Sequence, residues 1–252
     1  MKNLALLLLI LSALTACNRD LNHDQNKNKN TISVNDSNRF ADLRILTYDA
    51  SGINDLSVKQ KELVYYLSQA ALSGREITYA QNYKHNIQIK RVLETIYDTY
   101  NGDRGTEDWE NFEIYLKRFW FSNGIHHHYA EKKFLPGFSK DYFESLVERS
   151  SLSESITLKG EIIEQMVNKL VRVIFDPSVD SKKVVKDRGV DKVALSANNY
   201  YGEGVTETEA IAYYGAMGVS GEETPIEYGL NSRLVKRDGQ LVDLVYKSGG
   251  LY

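Results

Sequence analysis

The stretch Thr106-Glu-Asp-Trp-Glu-Asn-Phe-Glu-Ile-Tyr-Leu-Lys-Arg-Phe-Trp-Phe-Ser-Asn-Gly124 carries the clearest helical pattern in the chain. Thr106 is a favourable N-cap, the acidic residues after it suit the positive end of a helix dipole, and Lys117 with Arg118 suits the negative end. The apolar residues at helical spacing are Trp109, Phe112, Leu116, Phe119 and Trp120. The pattern predicts a helix with one core-facing side that ends at Asn123-Gly124.

An earlier helix is predicted to begin after Ser57, because Ser57 and Gln60 match a capping box. Its apolar stripe consists of Leu63, Leu67, Ala70 and Ala71, and Gly74 is expected to end it.

Four further helices follow from the same signals. They are predicted around residues 92–100, 140–149 and 158–174, and from a capping box at Thr206 and Glu209 to about Met217. The charged residues 176–192 predict a surface connection.

Two regions predict strands. Residues 39–49 alternate in polarity, and Asp238-Gly239 is a strong hairpin turn signal between two apolar runs. The fold class is therefore predicted as α+β, mainly helical with a few strands. A hairpin that is apolar on both faces needs further strands, so we expect the fold to be incomplete at the C-terminus, unless the hairpin pairs with the early strand.

The N-terminus matches a short signal peptide, residues 1–16, followed by the only cysteine, Cys17. Leu14-Thr-Ala-Cys17 resembles the lipobox of bacterial lipoproteins, which implies lipidation of Cys17 and an extracytoplasmic, membrane-anchored protein in the periplasm or on the cell surface. A plain secretory signal with an incidental cysteine is the alternative. Residues 17–38 contain seven asparagines and read as a disordered tether, which leaves residues 39–252 as the folded domain.

The net charge of −3 makes nucleic acid an improbable partner. A single cysteine allows no disulfide within the chain, so a packed core must stabilise the fold.

Three adjacent histidines, His126, His127 and His128, suggest a metal site at first sight. In extended backbone only His126 and His128 would share a face, a third ligand such as His85 would have to come from elsewhere, and no histidine starts a zinc-peptidase motif. The alternatives to a metal site are a hydrogen-bonded loop and an incidental surface cluster, and we favour the loop.

Other chemical motifs are incomplete. Gly202-Glu-Gly-Val-Thr206 lacks the lysine of a P-loop, and no serine lies in a G-x-S-x-G elbow. The sequence therefore indicates no catalytic, cofactor-binding or metal-binding residue.

The chain has seventeen tyrosines, and exposed ones could stack on glycans. Tyr200-Tyr201 and Tyr213-Tyr214 are the candidates, although core packing explains most of the tyrosines better.

The segment Trp120-Phe-Ser-Asn-Gly-Ile-His-His-His-Tyr129 resembles bacterial members of the dipeptidyl peptidase III family. Gln81-Asn-Tyr83, Tyr228-Gly-Leu-Asn-Ser-Arg-Leu234 and residues 61–67, 107–113 and 133–136 resemble the same family in the same order. The resemblance covers nearly all of residues 39–252.

That family consists of two-lobed zinc exopeptidases that remove dipeptides from peptide N-termini. The resemblance implies an N-terminal portion of such an enzyme, part of the lobe opposite the zinc. It also implies peptide substrates and a zinc cofactor for the full-length enzyme. This chain lacks the family's H-E-x-x-G-H segment, so we expect no zinc and no activity from it alone.

Tyr228, Asn231 and Arg233 are candidate substrate contacts on the cleft side, as the resemblance implies. A stand-alone lipoprotein that binds peptides, or one that binds glycans, are the alternative functions.

Overall fold

The structure, a computed structural model, describes residues 39–217 and 228–247, and the chain divides into two units, Met1–Leu56 and Ser57–Tyr252. The signal peptide, Cys17 and the tether lie outside the described residues. In the described part of the first unit, β1 (Arg39–Phe40) pairs antiparallel with β2 (Leu43–Arg44), and Ser51–Asp55 forms a 3-10 helix. The predicted continuous strand over residues 39–49 is wrong, because the chain turns back at Ala41, where φ is +48°.

The second unit contains eight described helices and a two-stranded sheet, which confirms the α+β class. The helices are α1 (Val58–Ser73), α2 (Arg75–Asn82), α3 (Asn86–Thr99), α4 (Glu107–Ser122), α5 (Lys140–Glu148), α6 (Ile163–Phe175), α7 (Lys192–Leu195) and α8 (Glu207–Met217). The strands are β3 (Ser232–Arg237) and β4 (Gln240–Val245). Among the described residues, no helix is long and apolar enough to cross a membrane.

Helix α4 forms as its sequence predicts. The Thr106 hydroxyl accepts a hydrogen bond from Trp109 N at 3.2 Å, and Asn123 ends the helix in the left-handed region with φ +50°. The core-facing residues of α4 pack with those of α3 and α6 in one buried cluster that includes Phe112, Leu116, Phe119, Val92, Leu93, Ile96, Met166, Leu170 and Ile174. This cluster is the main hydrophobic core.

Helix α1 has the predicted capping box, with Ser57 N donating to Gln60 Oε1 at 2.9 Å, but its apolar stripe does not face a core. None of its residues is buried. Gly74 ends α1 without ending helical structure, because its φ of −79° and ψ of −3° lead directly into α2, a helix that the sequence analysis missed. The stripe therefore lies on the surface.

The C-terminal hairpin is confirmed. Arg237 pairs with Gln240, and the two residues of the turn, Asp238 and Gly239, both have positive φ, as a type I′ turn requires. A parallel bridge joins Tyr201 to Leu234 on the other side of β3. Leu234 is buried in a second, smaller cluster with Val205 and Ala210, so α8 covers part of the hairpin.

Candidate functional site

Of the three adjacent histidines, His127 and His128 have neighbouring rings, whereas His126 turns into the protein. His126 is buried and its Nε2 lies 2.7 Å from the Asp180 carbonyl oxygen, to which it donates. His127 Nδ1 accepts from the backbone nitrogens of Tyr129 and Ala130 at 3.1 and 2.9 Å. The interpretation of these histidines as loop-shaping residues is therefore confirmed.

His128 packs its ring edge-on against Phe121, with centroids 4.8 Å apart, and its other neighbour is the His127 ring, with centroids 4.4 Å apart. Within residues 39–217 and 228–247, no three His, Cys, Asp or Glu side chains lie close enough to hold a metal ion. The described residues therefore do not fit the zinc of the family that the sequence resembles.

Asp180 connects the histidine loop to a buried tyrosine. Its carboxylate accepts a 2.5 Å hydrogen bond from the Tyr83 hydroxyl, while its carbonyl accepts from His126. The Tyr83 ring stands edge-on to His85 and His126, with centroids 5.2 and 5.4 Å away. The backbone of Asp180 has φ +48°, an uncommon value for a residue with a side chain.

Burial shifts the ionisation of this cluster. It lowers the pKa of His126 to about 4 and, with Lys84 and Lys169 nearby, that of His85 to about 4. Burial, together with the hydrogen bond to Asp180, raises the pKa of the Tyr83 hydroxyl. At neutral pH both imidazoles are therefore uncharged.

The Tyr83–Asp180 pair forms one wall of a polar pocket of about 250 Å³. Its lining includes four acidic or basic side chains, Lys84, Asp180, Glu203 and Arg233. Asn198, Asn199, Tyr201 and the backbone of Gly202 and Gly204 also line it. A pocket with charges of both signs and several amides suits a polar ligand with both donor and acceptor groups.

Backbone pairing with β3 positions Gly202, another residue that lines the pocket. Leu234 N donates to the Tyr200 carbonyl at 2.9 Å, and Gly202 N donates to the Leu234 carbonyl at 2.7 Å. A Cβ atom at Gly202 would lie 3.0 Å from Val235 Cγ1, so glycine permits this close approach. The strand contact and the helix cap at Thr206 explain the glycine pair without phosphate binding.

Arg233 is the polar residue of the pocket with an unmet hydrogen bond. Its Nε–H is buried and has no acceptor among the described residues. Burial lowers the pKa of the Arg233 guanidinium. A buried donor without a partner costs about 1–3 kcal/mol.

The structure separates the three residues implied by the resemblance. Arg233 lines the pocket, whereas Tyr228 and Asn231 are exposed just before β3 and do not line it. The tyrosines considered for glycan stacking also lie in different places. Tyr201 lines the pocket, whereas Tyr213 and Tyr214 pack edge-on at 5.3 Å beside Leu234.

Sequence reasoning did not identify Tyr83, Lys84 or Asp180 as residues of a binding site. Asp180 lies in the segment predicted as a solvated connection, and nothing local in the sequence marks its contact with Tyr83, 97 positions earlier. The adjacent asparagines Asn198 and Asn199 were the signal that could have indicated a structured loop. Their side chains donate to the carbonyls of Lys183 and Ala80, both at 3.0 Å.

No protein-family model matches the chain, and a search of the curated proteins finds no significant match.

Proposed function

We propose that this chain is the N-terminal portion of a dipeptidyl peptidase III-like enzyme and that it binds the peptide substrate at the Arg233 pocket. The zinc and the residues that act with it belong to a part of the enzyme outside this sequence. By itself the chain binds peptides without cleaving them. In the cell it is held outside the cytoplasm by the lipid on Cys17.

The observation that carries the proposal is the meeting of two distant segments that resemble the family. Gln81, in the first, donates from Nε2 to the Leu230 carbonyl, in the second, at 2.9 Å across 149 positions. Tyr83 and Arg233, from the same two segments, line one pocket. Segments with a shared likeness that meet at a pocket are better explained by a binding role than by packing alone.

The chemistry of the pocket suits a peptide. A peptide backbone offers carbonyl acceptors and N–H donors in alternation. The Arg233 guanidinium supplies donors for a carbonyl or a carboxylate, and the Asp180 carboxylate accepts from an N–H or an ammonium group. A glycan would find few open ring faces here, because Tyr83 is buried and Tyr201 is partly covered by the Leu234 cluster.

A calorimetric titration tests the proposal. The purified chain without its signal peptide is titrated with unlabelled peptides of three to five residues, in zinc and in EDTA. We expect saturable binding that is unchanged by EDTA, and no release of dipeptides in either condition. Zinc-dependent release of dipeptides would overturn the assignment of the zinc to another part of the enzyme, and absence of binding would overturn the peptide pocket.

A stand-alone peptide-binding lipoprotein is the second candidate, because the pocket is built by described residues of this chain without a further lobe. The DNA that follows the Tyr252 codon distinguishes the two. A frame that continues into an H-E-x-x-G-H segment supports the enzyme, whereas an immediate stop supports the stand-alone protein.

A further inference from the structure

A second concave site, a groove of about 490 Å³, lies where four helices meet. Sites for small molecules in proteins usually have volumes of about 300–1,000 Å³, so the groove is large enough for one. It shares no lining residue with the Arg233 pocket. The helices α1 to α4 supply its lining, which consists of Leu72, Arg75, Glu76, Tyr79, Lys90, Glu94 and Trp120.

Two aromatic side chains and one leucine give the groove an apolar surface. Tyr79 is buried, and its hydroxyl donates to the Trp120 carbonyl at 3.4 Å. The Trp120 indole is only partly buried, and its N–H donates to Glu94 Oε1 at 2.9 Å, which holds the ring in place. Leu72 is exposed beside them. An apolar group of a ligand would therefore contact a fixed aromatic ring and an aliphatic side chain.

The two acidic residues of the groove already have a cationic partner. Lys90 Nζ lies 3.5 Å from Glu76 Oε1 and 3.2 Å from Glu94 Oε2. The other oxygen of Glu94 accepts from Trp120, and Glu76 Oε2 lies 3.9 Å from the Arg91 guanidinium. Neither carboxylate is therefore left to receive the ammonium group of a ligand.

Arg75 differs from Lys90, because it is exposed and forms no ion pair with any residue in 39–217 or 228–247. Its charge acts on the groove. Burial raises the pKa of the Tyr79 hydroxyl, and the positive charge of Arg75 opposes that rise. The groove thus combines an apolar surface with one cation that is not neutralised.

We propose that this groove binds an N-acylated amino acid with an aromatic or aliphatic side chain, its carboxylate on Arg75 and its side chain against Trp120. A guanidinium and a carboxylate form two parallel charge-assisted hydrogen bonds. A free amino acid fits less well, because its ammonium group would lie near Arg75 and Lys90 without an available acid. The C-terminal residue of a peptide has the same chemistry as an N-acylated amino acid. The groove does not depend on the proposed peptide binding at Arg233.

Tryptophan fluorescence tests this site. Trp120 lines the groove, whereas the other tryptophan, Trp109, is buried, and neither lines the Arg233 pocket. We expect N-acetylphenylalanine to change the emission of the chain saturably. N-acetylphenylalaninamide, which lacks the carboxylate, and phenylalanine, which has an ammonium group, are expected to bind about fivefold more weakly or worse. Ala-Ala-Phe separates the two sources of this chemistry, since tighter binding than that of N-acetylphenylalanine supports a peptide end and equal binding supports a small acid.

Arg75→Met is the matched disruption, and Arg188→Met is its control, because Arg188 is also exposed but lines neither site. We expect Arg75→Met to weaken binding of N-acetylphenylalanine about fivefold or more and Arg188→Met to leave it unchanged. Thermal denaturation should show both variants folded, since both side chains lie on the surface. An Arg233→Met chain should bind the probe as the wild type does.

Four results would each overturn the proposal. They are an emission that does not change with N-acetylphenylalanine, equal affinity for the acid and its amide, wild-type affinity of the Arg75→Met chain, and a loss of the response in the Arg233→Met chain, which would place the probe in the other pocket.

Discussion

Gln81 in α2 and Leu230 before β3 are joined by a partly buried hydrogen bond, from the side-chain amide to the carbonyl, at 2.9 Å. The same side chain also accepts from the Tyr200 hydroxyl at 3.4 Å. The Gln81 side chain thus contacts both the segment that contains Tyr200 and the segment that contains Leu230.

Replacement of Gln81 by leucine is expected to destabilise the fold by about 0.5–1.5 kcal/mol, because the partly buried hydrogen bond to the Leu230 carbonyl is lost. Urea denaturation measures the change, and amide exchange should rise at Gly202 and Leu234. Gln69→Leu, on the exposed face of α1, is the control and should have little effect. A Gln81→Leu chain as stable as the wild type would contradict this account of the junction.

Gly124 lies against the side chain of Asn86. A Cβ atom at Gly124 would be 2.0 Å from Asn86 Nδ2, and φ at Gly124 is +142°. We expect Gly124→Ala to lower the free energy of unfolding by about 3 kcal/mol or more, since the clash adds to backbone strain. Gly189→Ala, also at positive φ but with nothing within 4 Å, should cost only about 1 kcal/mol. Equal losses from the two variants would show that strain alone determines the effect.

Lys133 supports the C-terminal end of α6. Its ammonium group donates to the Val173 carbonyl at 3.0 Å and to the carbonyls of Asp176 and Val179. Lys133→Met removes a cation from the negative end of a helix dipole and leaves three carbonyls without this donor, which should cost about 2–3 kcal/mol. Lys132→Met, at the exposed neighbouring position, should cost less than about 0.5 kcal/mol in the same denaturation measurement.

The buried His126 makes stability depend on pH. Burial lowers its pKa from 6.5 to about 4, so between these values the unfolded chain binds more protons than the folded chain. The stabilisation is complete above about pH 6.5 and is lost as the pH falls toward 4, and His126 alone should account for about 2 kcal/mol between pH 7 and pH 5. His85 shifts in the same direction.

Denaturation of His126→Gln at both pH values checks this dependence. The variant should lose stability less steeply on acidification than the wild type, because glutamine can still donate to Asp180 and does not titrate. Identical slopes for the wild type and His126→Gln would contradict the assignment.

Local patterns were sufficient where local physics determines the structure. The caps and core face of α4 and the Asp238-Gly239 turn could all be predicted, because each depends on residues within a few positions. The exposure of α1 could not be predicted, since an apolar stripe does not indicate whether a partner is present. Gly74 was expected to end the helical structure, but its backbone is itself helical, so one helix ends there and the next begins.

The pocket could not be predicted from the sequence for a different reason. Asp180 and Tyr83 are 97 positions apart, and the sequence near Asp180 has only the charge density of a surface loop. Arg233 was indicated by the resemblance of its segment to a family, and Tyr201 was indicated as a candidate for glycan stacking. Contacts between distant segments depend on the complete fold and leave no local signal.

Peptide binding by an Arg233→Met chain tests the central claim most directly. Arg237→Met is the matched control, because Arg237 is exposed on the same strand and does not line the pocket. In a fluorescence anisotropy titration with a labelled short peptide, we predict that Arg233→Met weakens binding at least tenfold, the loss of about 1.4 kcal/mol, while Arg237→Met binds as the wild type does. Equal affinity of the Arg233→Met and wild-type chains would contradict the peptide pocket.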